Sequence, residues 1–215
     1  AWHDSTNSTI NIQVDDGAVD SNTWTTWVND SPADFVIGSD DTGQGFLNGE
    51  IDELAFSKNV LTSAEREWLY NSGNGRNFSE LFLYEAPEEG NPPLITPDSL
   101  VYEAYWELEE QSGTRVDSHS SHDLTDNNTV DYSASGIQGN AADFTAANSE
   151  YLSISDNEDL SAGDIDFTIW GWVNLDTTPA TPMVIASKSA SSTNQEWLLE
   201  YRPNEDRLAF TVIDS

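Results

Sequence analysis

Short runs in which apolar and polar residues alternate, each cut off by Gly, Asn, Asp or Ser, recur on both sides of a proline-rich stretch in this 215-residue chain. A period of two sends successive side chains to opposite faces of an extended strand. Frequent turn residues between such runs mark an antiparallel β-protein. Ile10, Ile12 and Val14 alternate with Asn11 and Gln13, then meet the hairpin turn Asp15-Asp16-Gly17. Phe35-Val36-Ile37 ends at Gly38, and Ile51–Phe56 follows the Asn48-Gly49 turn. Further strands are expected at Val101–Leu108, Tyr151–Ile154, Phe167–Val173, Met183–Ser187, Trp197–Tyr201 and Leu208–Ile213.

One helix interrupts the pattern. From Leu61 to Gly73, Thr62 and Glu65 have the spacing of a capping box. Leu61, Ala64 and Trp68 share a face, and Gly73 is placed for a left-handed C-terminal turn. A strand-rich chain with one short helix is expected to fold as an all-β, antiparallel β-sandwich.

Tyr84–Ser99 holds four of the eight prolines and three glutamates. Proline fixes φ and removes a donor, so residues 85–99 read as an extended linker between residues 1–84 and 100–215.

Composition narrows the function. Seven basic residues against 39 acidic ones give a net charge of −32, which argues against nucleic acid and against adsorption to anionic membranes. Eight Trp, seven Tyr and eight Phe supply a core that acidic disordered tails lack. With no cysteine there is no disulfide framework or thiolate chemistry. No apolar run approaches a membrane span, and residues 1–30 lack a signal peptide's pattern. Many carboxylates repel one another unless cations screen or bind them, so the charge is either a solubilising surface for salty water or partly a set of calcium ligands. Sequons at Asn7, Asn77 and Asn127 are taken as chance in an Asn/Ser/Thr-rich chain.

Several segments, taken in order, resemble the laminin-G-like, concanavalin-A-like jelly-roll family, particularly its pentraxin-like bacterial branch. Its closing pattern is matched by Phe46-Leu47-Asn48-Gly49-Glu50-Ile51-Asp52-Glu53-Leu54-Ala55-Phe56, followed by Val60–Glu65 and Trp68-Leu69-Tyr70-Asn71. Its opening pattern is matched by Ala104–Gly113, Asp117-Ser118, Gly139–Phe144, Tyr151–Ile154 and Phe167–Val173. The resemblance implies that residues 1–84 are the C-terminal half of one laminin-G-like domain and 100–215 the N-terminal half of the next, a window on tandem repeats; a circular permutant is the alternative. A half-sandwich leaves an open edge and an uncovered apolar face, so each half must be completed by the other, by a neighbouring copy of the protein, or by adjacent repeats.

Glu50-Ile51-Asp52-Glu53 is similar to the acidic strand of laminarinase-type glycoside hydrolases, which need two carboxylates about the glycosidic bond. Here Leu54 and Ala55 follow where the acid is required, so no catalytic residue and no enzyme activity is expected. Asp52 shares parity with Leu54 and Phe56, which would bury it on the core side, where an unpaired carboxylate is costly. Family members often carry calcium near their loops, so the resemblance makes Asp52 and Asp117 the candidate metal positions. A hydrogen-bonded turn carboxylate is the other role open to them. Trp24, Trp27 and Trp197 are candidates for stacking on sugars, with packing as the alternative. Trp170 and Trp172 are expected in the core, and His119 and His122 in a solvated polar loop.

The expectation is a non-catalytic extracellular, cell-surface or virion-surface module for adhesion or carbohydrate binding, with calcium as a possible cofactor and with neighbouring copies or glycans as partners. A filament building block completed by neighbouring chains, or an accessory domain of a polysaccharide-degrading enzyme, are the alternatives.

Overall fold

Two antiparallel sheets pack face to face in the structure, a computed structural model that describes residues 1–82, 102–176, 179–191 and 194–214. The strands are β1 Trp2–Asp4, β2 Thr9–Ile12, β3 Asp20–Thr23, β4 Phe35–Ile37, β5 Gly49–Ser57, β6 Ala104–Trp106 and β7 Thr125–Asn127. They continue with β8 Asp131–Ser133, β9 Ala141–Phe144, β10 Tyr151–Ile154, β11 Phe167–Leu175, β12 Met183–Ser191, β13 Asn194–Arg202 and β14 Arg207–Val212. A helix, α1, spans Ser63–Tyr70.

The eight-stranded sheet runs β3-β2-β1-β11-β5-β9-β8, with β6 also paired to β5. The six-stranded sheet runs β14-β13-β12-β4-β10-β7. Strands from the two sides of the linker interleave in both. β11 lies between β1 and β5, and β4 lies between β12 and β10. Of the three sources of completion, the two segments of one chain here supply it to each other, as a circular permutant would. The linker itself, 85–99, lies outside the described residues.

Phe35, Phe56, Trp106, Phe167 and Trp197 form the aromatic centre between the sheets, all fully buried. Burying a side chain of this size is worth about 1.5–3 kcal/mol. A second, smaller cluster covers the outer face of the eight-stranded sheet: Ala55, Leu61, Leu69, Leu81, Tyr102 and Tyr105. Helix α1 rests there. Its capping box forms as spaced, the Thr62 hydroxyl accepting from the Glu65 N–H while Glu65 accepts from the Thr62 N–H. The helix ends sooner than Gly73, because Asn71 takes the left-handed conformation with φ 49°. Its buried stripe is Glu65 and Leu69, with Ala64 exposed.

Candidate functional site

The middle of β5 departs from simple alternation. β5 pairs with β11 through Trp170↔Ala55 and then Trp172↔Asp52, so Glu53 and Leu54 together face the single residue Gly171. This is a β-bulge. Glu53 adopts φ 51°, in the left-handed region. Gly171 is what admits it, since a Cβ there would lie 2.8 Å from Leu54 Cδ1 and 3.2 Å from Leu54 Cα. Because of the extra residue, Ile51 and Leu54 both belong to the core between the sheets. Asp52 therefore loses the parity it was expected to share with Leu54 and Phe56. It pairs across from Trp172 on the outer face.

That face carries a cleft of about 210 Å³ lined by Glu50, Asp52, Gly136, Ile137, Trp172 and Asn174. Asp52 is only 3% exposed. Its Oδ2 accepts the Gln138 N–H at 3.0 Å, while Oδ1 has no hydrogen-bond partner among the described residues. A side chain at 136 would crowd this carboxylate, because a Cβ on Gly136 would stand 2.7 Å from Asp52 Oδ2. Burial pushes the Asp52 carboxyl up to about 7, against the lowering effect of the Gln138 hydrogen bond and with a further push from Glu109. Beside it, Glu53 is fully buried and accepts from the Tyr105 hydroxyl. Burial raises Glu53 to about 9, more than the Tyr105 bond lowers it. Burial, with the carboxylate of Glu53, also raises the Tyr105 hydroxyl. At the cleft's far end Asn174 Nδ2 donates to Glu50 at 3.0 Å.

Trp172 divides this cleft from a second of about 130 Å³, lined by Trp2, Gln13, Arg66, Tyr70, Trp170 and Trp172 among others. Helix α1 brings Tyr70 onto Trp172 in a stacked arrangement, with centroids 5.7 Å apart and planes inclined by 16°. It also holds the Arg66 guanidinium 4.3 Å above the Trp2 ring, with Nε donating to Gln13 at 2.7 Å. The outer face thus offers half-buried aromatic rings, carboxylate and amide acceptors, and two concavities in one line.

The expected site residues fall elsewhere or fill other roles. Asp117 is a hydrogen-bonded turn carboxylate: Oδ1 accepts from the Tyr105 and His119 N–H groups, and Oδ2 from His122 N–H and faces His122 Nδ1 at 3.2 Å. Asp52 and Asp117 share no hydrogen-bonding partner among the described residues. Among those residues, no group of three or more His, Asp or Glu side chains is arranged to hold a metal ion. His119 is exposed as expected, but His122 is buried, its Nε2 3.3 Å from Asp159.

Trp27 is 75% exposed on the loop after β3. Trp24 is partly buried against the central core. Trp197 is not on the surface at all: Phe35, Phe56 and Phe167 occupy its surroundings, with Phe56 stacked at 6.3 Å and 15°. Packing, the alternative role for Trp197, is the one it fills. Trp172 corrects the opposite expectation, whereas Trp170 packs against the smaller core cluster, beside Tyr102 and Tyr105. Neither is in the central core; both lie on the outer face with Thr168 and Asn174, opposite Phe167 and Ile169. The signal was present in the sequence, since one parity of this strand is aromatic and the other aliphatic. Only the side each parity would face was missing.

Comparison with protein-family models, curated proteins and solved structures gives no match to this chain.

Proposed function

We propose that the chain is a non-catalytic carbohydrate-binding module, working in adhesion at an extracellular, cell or virion surface, and that its ligand lies on the outer face of the eight-stranded sheet. The observation that carries this reading is Trp172, half-buried between two clefts, with the unpartnered Asp52 Oδ1 and the Glu50–Asn174 pair beside it. Pyranose rings have apolar C–H faces that suit an aromatic platform and a rim of hydroxyls that suits clustered acceptors. Fold alone does not choose the ligand; the charge does part of it. Glu50 and Asp52 line one cleft, and Asp143 stands near Glu50 and Asp176, in a chain of net charge −32. Uronate or sulfated glycans are therefore repelled, and neutral or amine-bearing ones are favoured.

Titration calorimetry with neutral, amine-bearing and uronate oligosaccharides tests this. The expected result is binding of the first two classes only, weakened about tenfold or more, roughly 1.4 kcal/mol, by Trp172→Ala, with Trp27→Ala nearly silent. Loss on Trp27→Ala with Trp172→Ala unaffected would move the site to the exposed loop. Self-assembled fibres without glycan affinity would favour the architectural reading. Release of reducing ends that disappears in Glu50→Gln would end the non-catalytic one.

A further inference from the structure

Far from the clefts, three ionisable side chains meet in the six-stranded sheet. Lys188 on β12 and Glu196 on β13 are both fully buried. Asp156, just beyond β10, places Oδ1 2.7 Å from Lys188 Nζ, and Glu196 Oε2 lies 3.5 Å from the same nitrogen. Lys188 also donates to the carbonyls of Ser31 and Ala33, the latter at 3.0 Å. Glu196 is fixed in turn by the N–H groups of Ala162, Gly163 and Ser31.

We propose that Lys188 and Asp156 condense to an intramolecular amide, with Glu196 as the catalytic proton carrier. The arrangement supplies each requirement of that step. A lysine shut away from water is the kind of amine that serves as a nucleophile. Once one proton passes from Nζ to Glu196, the amine keeps two N–H bonds. The Ser31 and Ala33 carbonyls accept both, which leaves the lone pair for the carboxyl of Asp156. Nζ bonds to Asp156 Cγ, and the C–O bond to one carboxyl oxygen breaks. Two of the three ammonium protons leave with that oxygen as water, relayed by Glu196, and the third stays on the amide nitrogen. Ammonium plus carboxylate equals amide plus water, so no co-reactant is needed.

Burial raises Glu196 above the usual carboxylate range, which suits a group that must hold a proton in transit. The side chain of Asp156 is 41% exposed, which gives the departing water a way out. Fixing the reactants at contact replaces a bimolecular encounter, an advantage that reaches about 10⁵–10⁸ M in effective concentration. The product also removes the charge of a fully buried lysine, which is expensive to keep out of solvent. In a chain with no cysteine, this bond would tie the segment after β10 to β12 where no disulfide is available.

Intact-mass spectrometry of the folded, full-length chain decides the matter. The expected mass is lower than the sequence mass by one water. Trypsin then fails to cut after Lys188, and it does not cut the Arg202–Pro203 bond, so residues 116–207 remain a single peptide, also one water light, instead of separating into 116–188 and 189–207. Asp156→Ala restores the full mass and the cut. Asp156→Asn gives the same amide with loss of ammonia. Glu196→Gln, if folded by circular dichroism, keeps the full mass although both reacting groups are present. Wild-type protein at full mass, cut normally at Lys188 after prolonged incubation at neutral pH, would overturn the proposal. Bond formation undiminished in Glu196→Gln would overturn the role of Glu196.

Discussion

Glu53 shows how one side chain makes stability depend on pH. Its carboxyl is held near 9 in the folded chain against an ordinary 4.5. Below pH 4.5 both folded and unfolded chains are protonated at this position, and it costs nothing. As pH rises from 4.5 to 9, the unfolded chain gives up the proton while the folded one retains it. Stability therefore falls across that window and levels off above it. Asp52 adds the same sign of dependence between 3.8 and about 7. Glu53→Gln keeps an acceptor for Tyr105 but cannot titrate. Urea unfolding at pH 4.5, 7 and 9 should show the wild type losing on the order of a few kcal/mol while the variant's curve is flatter. Parallel pH profiles for the two proteins would mean that Glu53 is ionised in the fold.

At the scale of elements, the bulge is where sequence reading and structure part company. Strand positions, the capping box and the aromatic–aliphatic split of β11 are all readable, because each follows from local periodicity or local hydrogen bonding. The face on which Asp52 and Trp172 lie is not. It depends on one extra residue in β5 meeting a glycine on a strand more than 100 positions away in the chain. The polar strands β3, β7 and β8 were hidden for a related reason, since edge strands need no apolar face to be held in a sheet. The buried lysine of β12 gave no periodic signal either: its partners come from loops whose approach is set by the assembled sandwich. Gly171→Ala tests the bulge directly. The added methyl meets Leu54 backbone as well as side chain, so a loss of about 1–3 kcal/mol is expected in denaturant unfolding. A neutral result would show that the strand can absorb it.

For the whole molecule, the central fact is that neither side of the proline-rich stretch owns a sheet. Each sheet has strands from both sides: β11 is inserted between β1 and β5 in one, and β4 between β12 and β10 in the other. Melting should accordingly be a single transition by both near- and far-ultraviolet circular dichroism. Residues 1–84 and 100–215, expressed as separate polypeptides, should each lack near-ultraviolet signal and regain it when mixed. Either piece folding alone would contradict the shared core. The same interleaving explains why the sequence suggested two incomplete units: the repeat-like order of motifs is a one-dimensional property, whereas completion is a property of space.

The two-against-one pairing at Gly171 also decides where this stretch can be shortened. Excising Glu53 alone would return β5 to an unbroken rhythm, with Leu54 opposite Gly171 one to one. Ile51 and Leu54 would then stand two apart and still look inward, and Asp52 would still look outward. Excising Ile51 instead, with the extra residue kept, would set Glu50 in its place among hydrocarbon. The same loss of one codon is thus absorbed at one position and turns the start of the strand inside out two positions earlier.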